Sequence, residues 1–160
     1  MGLNSSLSVD AFERRRLNLV AVLDVSGSMS SSFDQYYYDE HGNKQEVEGD
    51  GTTKMRAAAE SLAAMTTHLD ADDRFGVVLY NSTAHVAKPL SRIEDTDMDA
   101  IRGHIRDVQA GGGTNMTAGL ESAIDMLADY EDADSTAVEN RIVFMTDMMA
   151  LSSWPLPNEV

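Results

Sequence analysis

Five oxygen-bearing side chains in this sequence stand at the ends of apolar or glycine-rich segments. The set comprises two carboxylates and three hydroxyls: Asp24, Ser26, Ser28, Thr114 and Asp147. Oxygen ligands of this kind suit a hard cation such as Mg²⁺. The one-residue spacing from 24 to 28 lets a turning loop direct three side chains inward, and Gly27 allows a tight backbone there. These residue types therefore predict a divalent-cation site, provided that the fold brings the three segments together.

Apolar strands that alternate with amphipathic helices are the elements that must position these side chains. Strands are predicted at 17–23, 74–80 and 141–147, and the first is apolar enough to be buried on both faces. Helical periodicity predicts helices at 54–69, 96–108 and 115–130. A short antiparallel edge strand is predicted at 83–90, which contains Pro89. This order indicates an α/β fold with a mainly parallel sheet, in which the carboxyl ends of the strands form one ligand-binding edge.

Finer expectations concern the helices. Thr52 or Thr53 is predicted to cap the first helix, and Thr96 with Asp99 forms a capping pattern for the second. One apolar face of the third helix is expected to contain Met116, Leu120, Ala123, Leu127 and Tyr130.

Residues 30–53 are predicted to form an inserted loop or hairpin near the metal site. Tyr36–Tyr38 and Gln45–Val47 flank a turn-like stretch at 39–43. The acidic residues of this segment do not have the spacing of an EF-hand loop.

Composition excludes several classes of function. Twelve basic and 27 acidic residues give a formal net charge of −15, which disfavours nucleic acid and anionic lipid as partners. The absence of cysteine excludes disulfides, thiolate metal sites and thiol catalysis. No apolar run reaches the roughly 20 residues that a bilayer requires, and residues 1–16 lack the apolar centre of a secretion signal. We expect no membrane insertion in this segment, with a cytoplasmic location by default and an extracellular one if the segment belongs to a longer chain.

An enzymatic alternative would use Asp24 as the nucleophile of a phosphoryl-transfer site. Such haloacid-dehalogenase-like sites normally have a second acid two residues later, where this chain has Ser26. Ser26 also lacks a histidine placed by a hydrolase motif. The glycine turn at 111–113 is not followed by the Gly-Lys-Ser/Thr of a phosphate-binding loop. We therefore expect a binding module that is not an enzyme.

The motifs "DVSGS", "GGGTN" and "TD", in this order, resemble the metal-ion-dependent adhesion site of the von Willebrand factor type A domain. The phrases "KMRAAAESL" and "LDADDRFGVVLYN" extend the resemblance over residues 17–147. It implies a three-layer α/β/α, Rossmann-like fold. Residues 1–16 are then a lead-in, and residues 148–160 are a C-terminal tail.

The resemblance also implies roles for the matching positions. Asp24, Ser26 and Ser28 would hold Mg²⁺, or Mn²⁺ or Ca²⁺, directly or through water, while Thr114 would come and go and Asp147 would bind through water. An acidic side chain of a partner protein would complete the coordination. Two protein carboxylates only neutralise a divalent ion, so an incoming carboxylate is still attracted. The alternative is a docking domain of an ATP-driven, chelatase-like complex.

Three features depart from the family pattern. Met148-Met149 stands where the family usually has glycine, and 25 residues separate Ser28 from Lys54, where many relatives have a few. The family sheet has six strands, yet 13 residues follow Asp147 here. We therefore expect an incomplete domain, with 141–146 at an open edge and a tendency to associate through it.

Overall fold

The computed structural model describes residues 14–32, 35–38, 41, 44–47, 51–130 and 136–147. The strands in these residues are β1 (Arg16–Asp24), β2 (Gln35–Tyr38), β3 (Lys44–Val47), β4 (Arg74–Tyr80), β5 (Ala84–Arg92) and β6 (Val138–Met145). The α-helices are α1 (Lys54–Met65), α2 (Met98–Arg106) and α3 (Met116–Leu127). Short 3-10 turns are at Gly27–Ser30, Thr66–His68 and Ala128–Tyr130.

The main sheet has four strands in the order β5-β4-β1-β6. Strands β4 and β6 run parallel to β1, and β5 runs antiparallel to β4 at the edge. This arrangement confirms the predicted α/β class, with a mainly parallel sheet and one antiparallel edge strand. Strands β2 and β3 form a separate antiparallel pair within the predicted insertion, and the turn predicted at 39–43 lies mostly outside the described residues.

Strand β1 separates two apolar cores, as predicted from its unbroken apolar run. Leu19, Ala21 and Leu23 face one core. That core is completed by residues of α1 and α2, among them Met55, Leu62 and Ile105. The alternating side chains of Val20 and Val22 pack with Ala123 and Leu127 of α3 on the other face. Because successive strand residues point to opposite faces, a strand covered on both sides must be apolar throughout.

The helix caps are partly as predicted. Thr53 caps α1, because its hydroxyl accepts a 3.1 Å hydrogen bond from the Arg56 N–H. The prediction of Thr96 as the cap of α2 is wrong. Asp97 caps α2 by accepting from the Ala100 N–H at 3.0 Å, while the Thr96 hydroxyl donates to the Arg92 carbonyl. Because α2 begins at Met98, the N-cap position falls on Asp97, one residue after Thr96.

The predicted apolar face of α3 is partly wrong. Met116 and Leu120 are exposed, and the buried residues of the helix are Gly119, Ala123 and Leu127. A β-carbon added at Gly119 would lie 2.9 Å from the Tyr80 ring and 3.1 Å from Val22. The helix therefore docks through its small residues, because they allow the closest approach to the sheet.

Strand β6 begins at Val138, three residues before its apolar run. Its polar start pairs in register with β1, where Asn140 lies opposite Asn18. The Asn18 amide donates to the Asn140 side-chain oxygen at 2.8 Å, and Asn18 is fully buried. Backbone pairing and this amide pair extend the strand beyond what hydrophobicity predicts. Within the described residues, β6 pairs with β1 alone.

Candidate metal centre

The carboxyl ends of β1 and β6 bring four of the five predicted residues into one hydrogen-bonded chain, in which the backbone N–H of Ser26 makes the first link. The Ser26 N–H donates to Oδ1 of Asp24 at 2.8 Å. The Ser26 and Ser28 hydroxyl oxygens lie 3.2 Å apart, and the Ser28 hydroxyl donates to Oδ1 of Asp147 at 3.0 Å. Residues 119 positions apart in sequence thus meet because β1 and β6 are parallel neighbours.

Asp24 lies at the buried end of this chain. Its side chain is fully buried, and its Oδ2 accepts from the Tyr80 hydroxyl at 3.0 Å and from the Thr146 hydroxyl at 2.7 Å. Burial, together with the neighbouring Asp24 carboxylate, raises the pKa of Tyr80 to about 12. Tyr80 therefore stays protonated at neutral pH and remains a donor to the carboxylate. Sequence reasoning assigned no part in the site to Tyr80 or Thr146, although both lie within the quoted stretches "LDADDRFGVVLYN" and "TD".

The glycine turn is held against the β1 loop by backbone hydrogen bonds. The Gly27 N–H donates to the Gly112 carbonyl at 3.0 Å, and the Gly111 N–H donates to the Val25 carbonyl at 2.7 Å. Gly112 has φ of +89°, a left-handed conformation that favours glycine. A β-carbon there would also approach the Asn81 side chain at 3.1 Å. Both the backbone conformation and the close approach to Asn81 therefore favour glycine at 112.

Thr114 follows this turn immediately. It is exposed, and the next residue, Asn115, donates its backbone N–H to the Asn81 carbonyl at 2.6 Å. Among the described residues, no hydrogen bond joins the Thr114 hydroxyl to the other four side chains. The fold therefore places Thr114 on a loop bonded to the β1 loop without bringing its hydroxyl into the chain.

Lys54 adds a cation that sequence reasoning did not assign to the site. Its Nζ lies 2.9 Å from Oδ2 of Asp147, in an ion pair whose side chains are 32% and 13% exposed. This ammonium lowers the pKa of Asp147 below its usual value, and the hydrogen bond from Ser28 adds to the effect. Lys54 is the first residue of α1, and its N–H donates to the Ser31 carbonyl at 3.0 Å. The bridge between Ser32 and Thr53 closes the base of the insertion beside it.

The donor chemistry of the site fits a hard divalent cation. Asp24, Ser26, Ser28 and Asp147 present oxygen atoms alone, the ligands that Mg²⁺ and Ca²⁺ prefer. The Lys54 ammonium lies 2.9 Å from Oδ2 of Asp147. This carboxylate oxygen is therefore open to a positive charge, while Oδ1 accepts from Ser28. No group of three or more His, Asp or Glu side chains that could hold a metal ion occurs in the part of the chain that the structure describes. The two carboxylates would therefore supply all the negative charge of the ligand set.

No helix among the described residues is long and apolar enough to cross a membrane.

Comparison with known proteins identifies the relatives of the chain. The family model described as "von Willebrand factor type A domain" matches residues 19–149. No curated protein matches the sequence.

Solved structures with a similar fold come from several bacteria. A von Willebrand factor type A protein from Catenulispora acidiphila matches with a TM-score of 0.56 and 23% identity, over 80% of this chain and 25% of that one. An uncharacterised membrane-spanning protein from Vibrio fischeri matches with a TM-score of 0.52 and 22% identity, over 73% and 51%. A pilus adhesin from Streptococcus pneumoniae matches with a TM-score of 0.57 and 14% identity, over 81% and 20%. The chain thus spans about half or less of the length of these three structures, and at these identities the likeness concerns the fold.

Proposed function

The chain belongs to the von Willebrand factor type A domain family, and on that premise we propose that it binds a divalent cation and captures an acidic group of a partner protein. Domains of this family are generally interaction modules. The observation that carries the proposal is the hydrogen-bonded chain from Asp24 through Ser26 and Ser28 to Asp147. Mg²⁺ is the proposed ion, with Mn²⁺ or Ca²⁺ as substitutes in vitro.

Each proposed ligand has a distinct part in this function. Asp24 would be the rigid base of the site, because three donors hold its carboxylate in a buried position. Ser26 is buried and Ser28 exposed, so Ser28 lies on the open side. Thr114 would join from the glycine turn. Preorganised ligands of this kind reduce the ordering cost of binding.

The partner chemistry follows from the charge of the ligand set. Asp24 and Asp147 together carry two negative charges, which balance a divalent cation without exceeding it. A bound cation would supply an electrophilic centre for a carboxylate oxygen of the partner. Without a cation, the two carboxylates and the net charge of −15 would repel an acidic partner. Capture should therefore depend on the metal.

The contacts of the two candidate nucleophiles support binding in preference to catalysis. Both oxygens of Asp24 accept hydrogen bonds, which reduces the nucleophilicity of the carboxylate. The described partner of the Ser26 hydroxyl is Ser28, so no general base is placed to activate it. We propose a non-enzymatic interaction module. The name of the pneumococcal pilus adhesin, which shares the fold, is in keeping with such a role.

Titration calorimetry with Mg²⁺ and Mn²⁺ tests the cation site. The parent should bind at one main site, and Asp24→Ala and Ser28→Ala should each weaken binding at least about tenfold. Asp125→Ala, at an exposed position of α3, is the matched control and should bind like the parent. Circular dichroism should establish that each variant is folded. Equal affinity in the parent and both site variants would show that the site assignment is wrong.

Peptide phage display tests the partner chemistry. Peptides selected on the immobilised chain in Mg²⁺ should be released by EDTA and should share an Asp or Glu. Replacement of that residue by Asn or Gln should abolish binding, because an amide lacks the charge that the cation attracts. Selected peptides that bind equally in EDTA would place the interface away from the metal centre.

A further inference from the structure

The ion pair between Lys54 and Asp147 sits within the proposed metal centre. The Lys54 Nζ contacts Oδ2 of Asp147 at 2.9 Å, and the Ser28 hydroxyl contacts Oδ1 at 3.0 Å. Both carboxylate oxygens therefore accept hydrogen bonds from donors of the chain itself. A cation that engages Asp147 must share this carboxylate with Lys54 or displace it.

The local structure holds Lys54 at the rim of the site. The Lys54 N–H is bonded to the Ser31 carbonyl, and the preceding Thr53 caps α1 and pairs with Ser32. These contacts fix the backbone of Lys54 next to the loop that carries Ser28. The four-carbon stem of lysine has rotatable bonds, so the ammonium can turn away from Asp147 without a change in the helix backbone.

Shielding makes this ion pair stronger than an ordinary surface pair. The Asp147 side chain is 13% exposed, and it lies in the same hydrogen-bonded chain as the fully buried Asp24. Exposed ion pairs contribute little because water screens them. Two carboxylates at a shielded edge repel each other unless a positive charge is near.

We propose that Lys54 is a built-in counter-ion of the metal centre, which neutralises Asp147 when no divalent cation is bound and competes with the cation for that carboxylate. This inference rests on the proposed function. Lys54 reduces the net charge that attracts the cation from −2 to −1. It thereby weakens cation binding and stabilises the metal-free form.

The test compares three variants by calorimetry with Mg²⁺ and by melting temperature in EDTA. Lys54→Met keeps the length of the side chain and removes the charge. Removal of one positive charge at this range should tighten Mg²⁺ binding by about tenfold or more. The same variant should melt at a lower temperature than the parent in EDTA and gain more from Mg²⁺. Lys54→Arg, which keeps the charge, should stay within about threefold of the parent.

Arg56→Met is the matched control, since Arg56 is an exposed cation in the first turn of α1. It should leave both the Mg²⁺ affinity and the melting temperature in EDTA close to those of the parent, because solvent screens its charge.

The outcomes separate the inference from the proposed function. If the parent binds Mg²⁺ and Lys54→Met binds it equally or more weakly, the counter-ion role is wrong and Lys54 instead helps to position Asp147. If neither protein binds Mg²⁺ or Mn²⁺, both the metal-dependent function and the inference fail. Tighter binding by Lys54→Met supports the inference, including the case in which the parent binds too weakly to measure.

Discussion

Tyr80 and Asp24 are register partners across β4 and β1, and the Tyr80 hydroxyl donates a 3.0 Å hydrogen bond to Oδ2 of Asp24. Each residue is the last of its strand, and both are fully buried. The Tyr80 ring also packs against Phe144 of β6, with ring centroids 5.6 Å apart. The carboxylate at the base of the proposed metal centre is thus held by a core tyrosine.

Tyr80→Phe should reduce the free energy of unfolding by about 1–3 kcal/mol, because it removes a donor from a buried carboxylate. Urea titration in EDTA measures this loss. Tyr130→Phe is the control, since a phenylalanine keeps the ring that Arg74 contacts. That control should stay within about 0.5 kcal/mol of the parent. An unchanged stability of Tyr80→Phe would mean that the hydrogen bond contributes nothing net.

The hydrogen bond between Tyr80 and Asp24 also predicts that the free energy of unfolding falls at alkaline pH. The pKa of Tyr80 is raised from 10.0 to about 12 in the folded chain. Its contribution is therefore complete below pH 10 and is lost as the pH rises through 12. Urea titrations between pH 9 and 12 should show this loss in the parent. In Tyr80→Phe that part of the loss should be missing.

Gly119→Ala should destabilise the chain by about 1–3 kcal/mol through overpacking. The added β-carbon would lie 2.9 Å from two atoms of the Tyr80 ring, which is backed by Phe144. Gly103→Ala on α2 is the matched control, because its β-carbon would meet no atom within 4 Å. The control should gain about 0.5–1 kcal/mol from helix propensity. A stabilising Gly119→Ala would show that α3 moves freely relative to the sheet.

Asp73 should cause the free energy of unfolding to fall at acidic pH. Its fully buried side chain accepts from the backbone N–H groups of Leu17 and Asp70 and from the Arg14 guanidinium. Burial alone would raise the pKa of Asp73, but these hydrogen bonds outweigh it and lower the pKa below 3.8. The contribution is therefore present above about pH 4 and is lost as the pH falls through the lowered value.

Asp73→Asn tests this prediction. The amide has one acceptor oxygen and brings two donors towards the Arg14 guanidinium. The free energy of unfolding near pH 7 should therefore fall by about 3–5 kcal/mol. Denaturant titrations from pH 7 to pH 3 should show a smaller dependence on acid in the variant than in the parent. Asp125→Asn, at an exposed position, should keep the parental dependence. If the free energies of unfolding of the parent and of Asp73→Asn change equally with pH, Asp73 is not the cause of the acid dependence.

Exposed apolar side chains of α3 should cause the 160-residue chain to self-associate. Met116, Leu120 and Ile124 form an exposed stripe along α3, on the face of the sheet that also holds Phe144. Ile124→Lys should shift sedimentation towards the monomer, because a charge disfavours burial of this surface. Ala64→Lys, at an exposed position of α1 on the opposite face of the sheet, is the control and should leave association unchanged. A monomeric parent at tens of micromolar would contradict the prediction.

The sequence alone determined the order of strands and helices and three of the segments that form the candidate site. Runs such as 17–23 and 74–80 predict strands because a parallel sheet buries both faces, and this pattern is local. The residue types at 24, 26, 28 and 147 pointed to oxygen ligation before any contact was known. Whether those ligands hold a cation stays a prediction.

Tertiary structure alone decided which other residues reach the site. Thr146 contacts Asp24 across 122 positions, and Lys54 contacts Asp147 across 93. Neither contact follows from periodicity, because each depends on the register of β1 with its neighbours and on where α1 begins.

Burial of polar groups was likewise decided by packing. Lys88 is almost fully buried, and its ammonium donates to the Phe75 carbonyl at 2.7 Å where the β4–β5 register shifts.

Packing also decided which face of α3 is buried, since Gly119 faces the sheet and Leu120 does not. A helical pattern indicates which residues share a side. The fit between Gly119 and the Tyr80 ring determines which side docks, because close approach to the sheet depends on the shape of both partners.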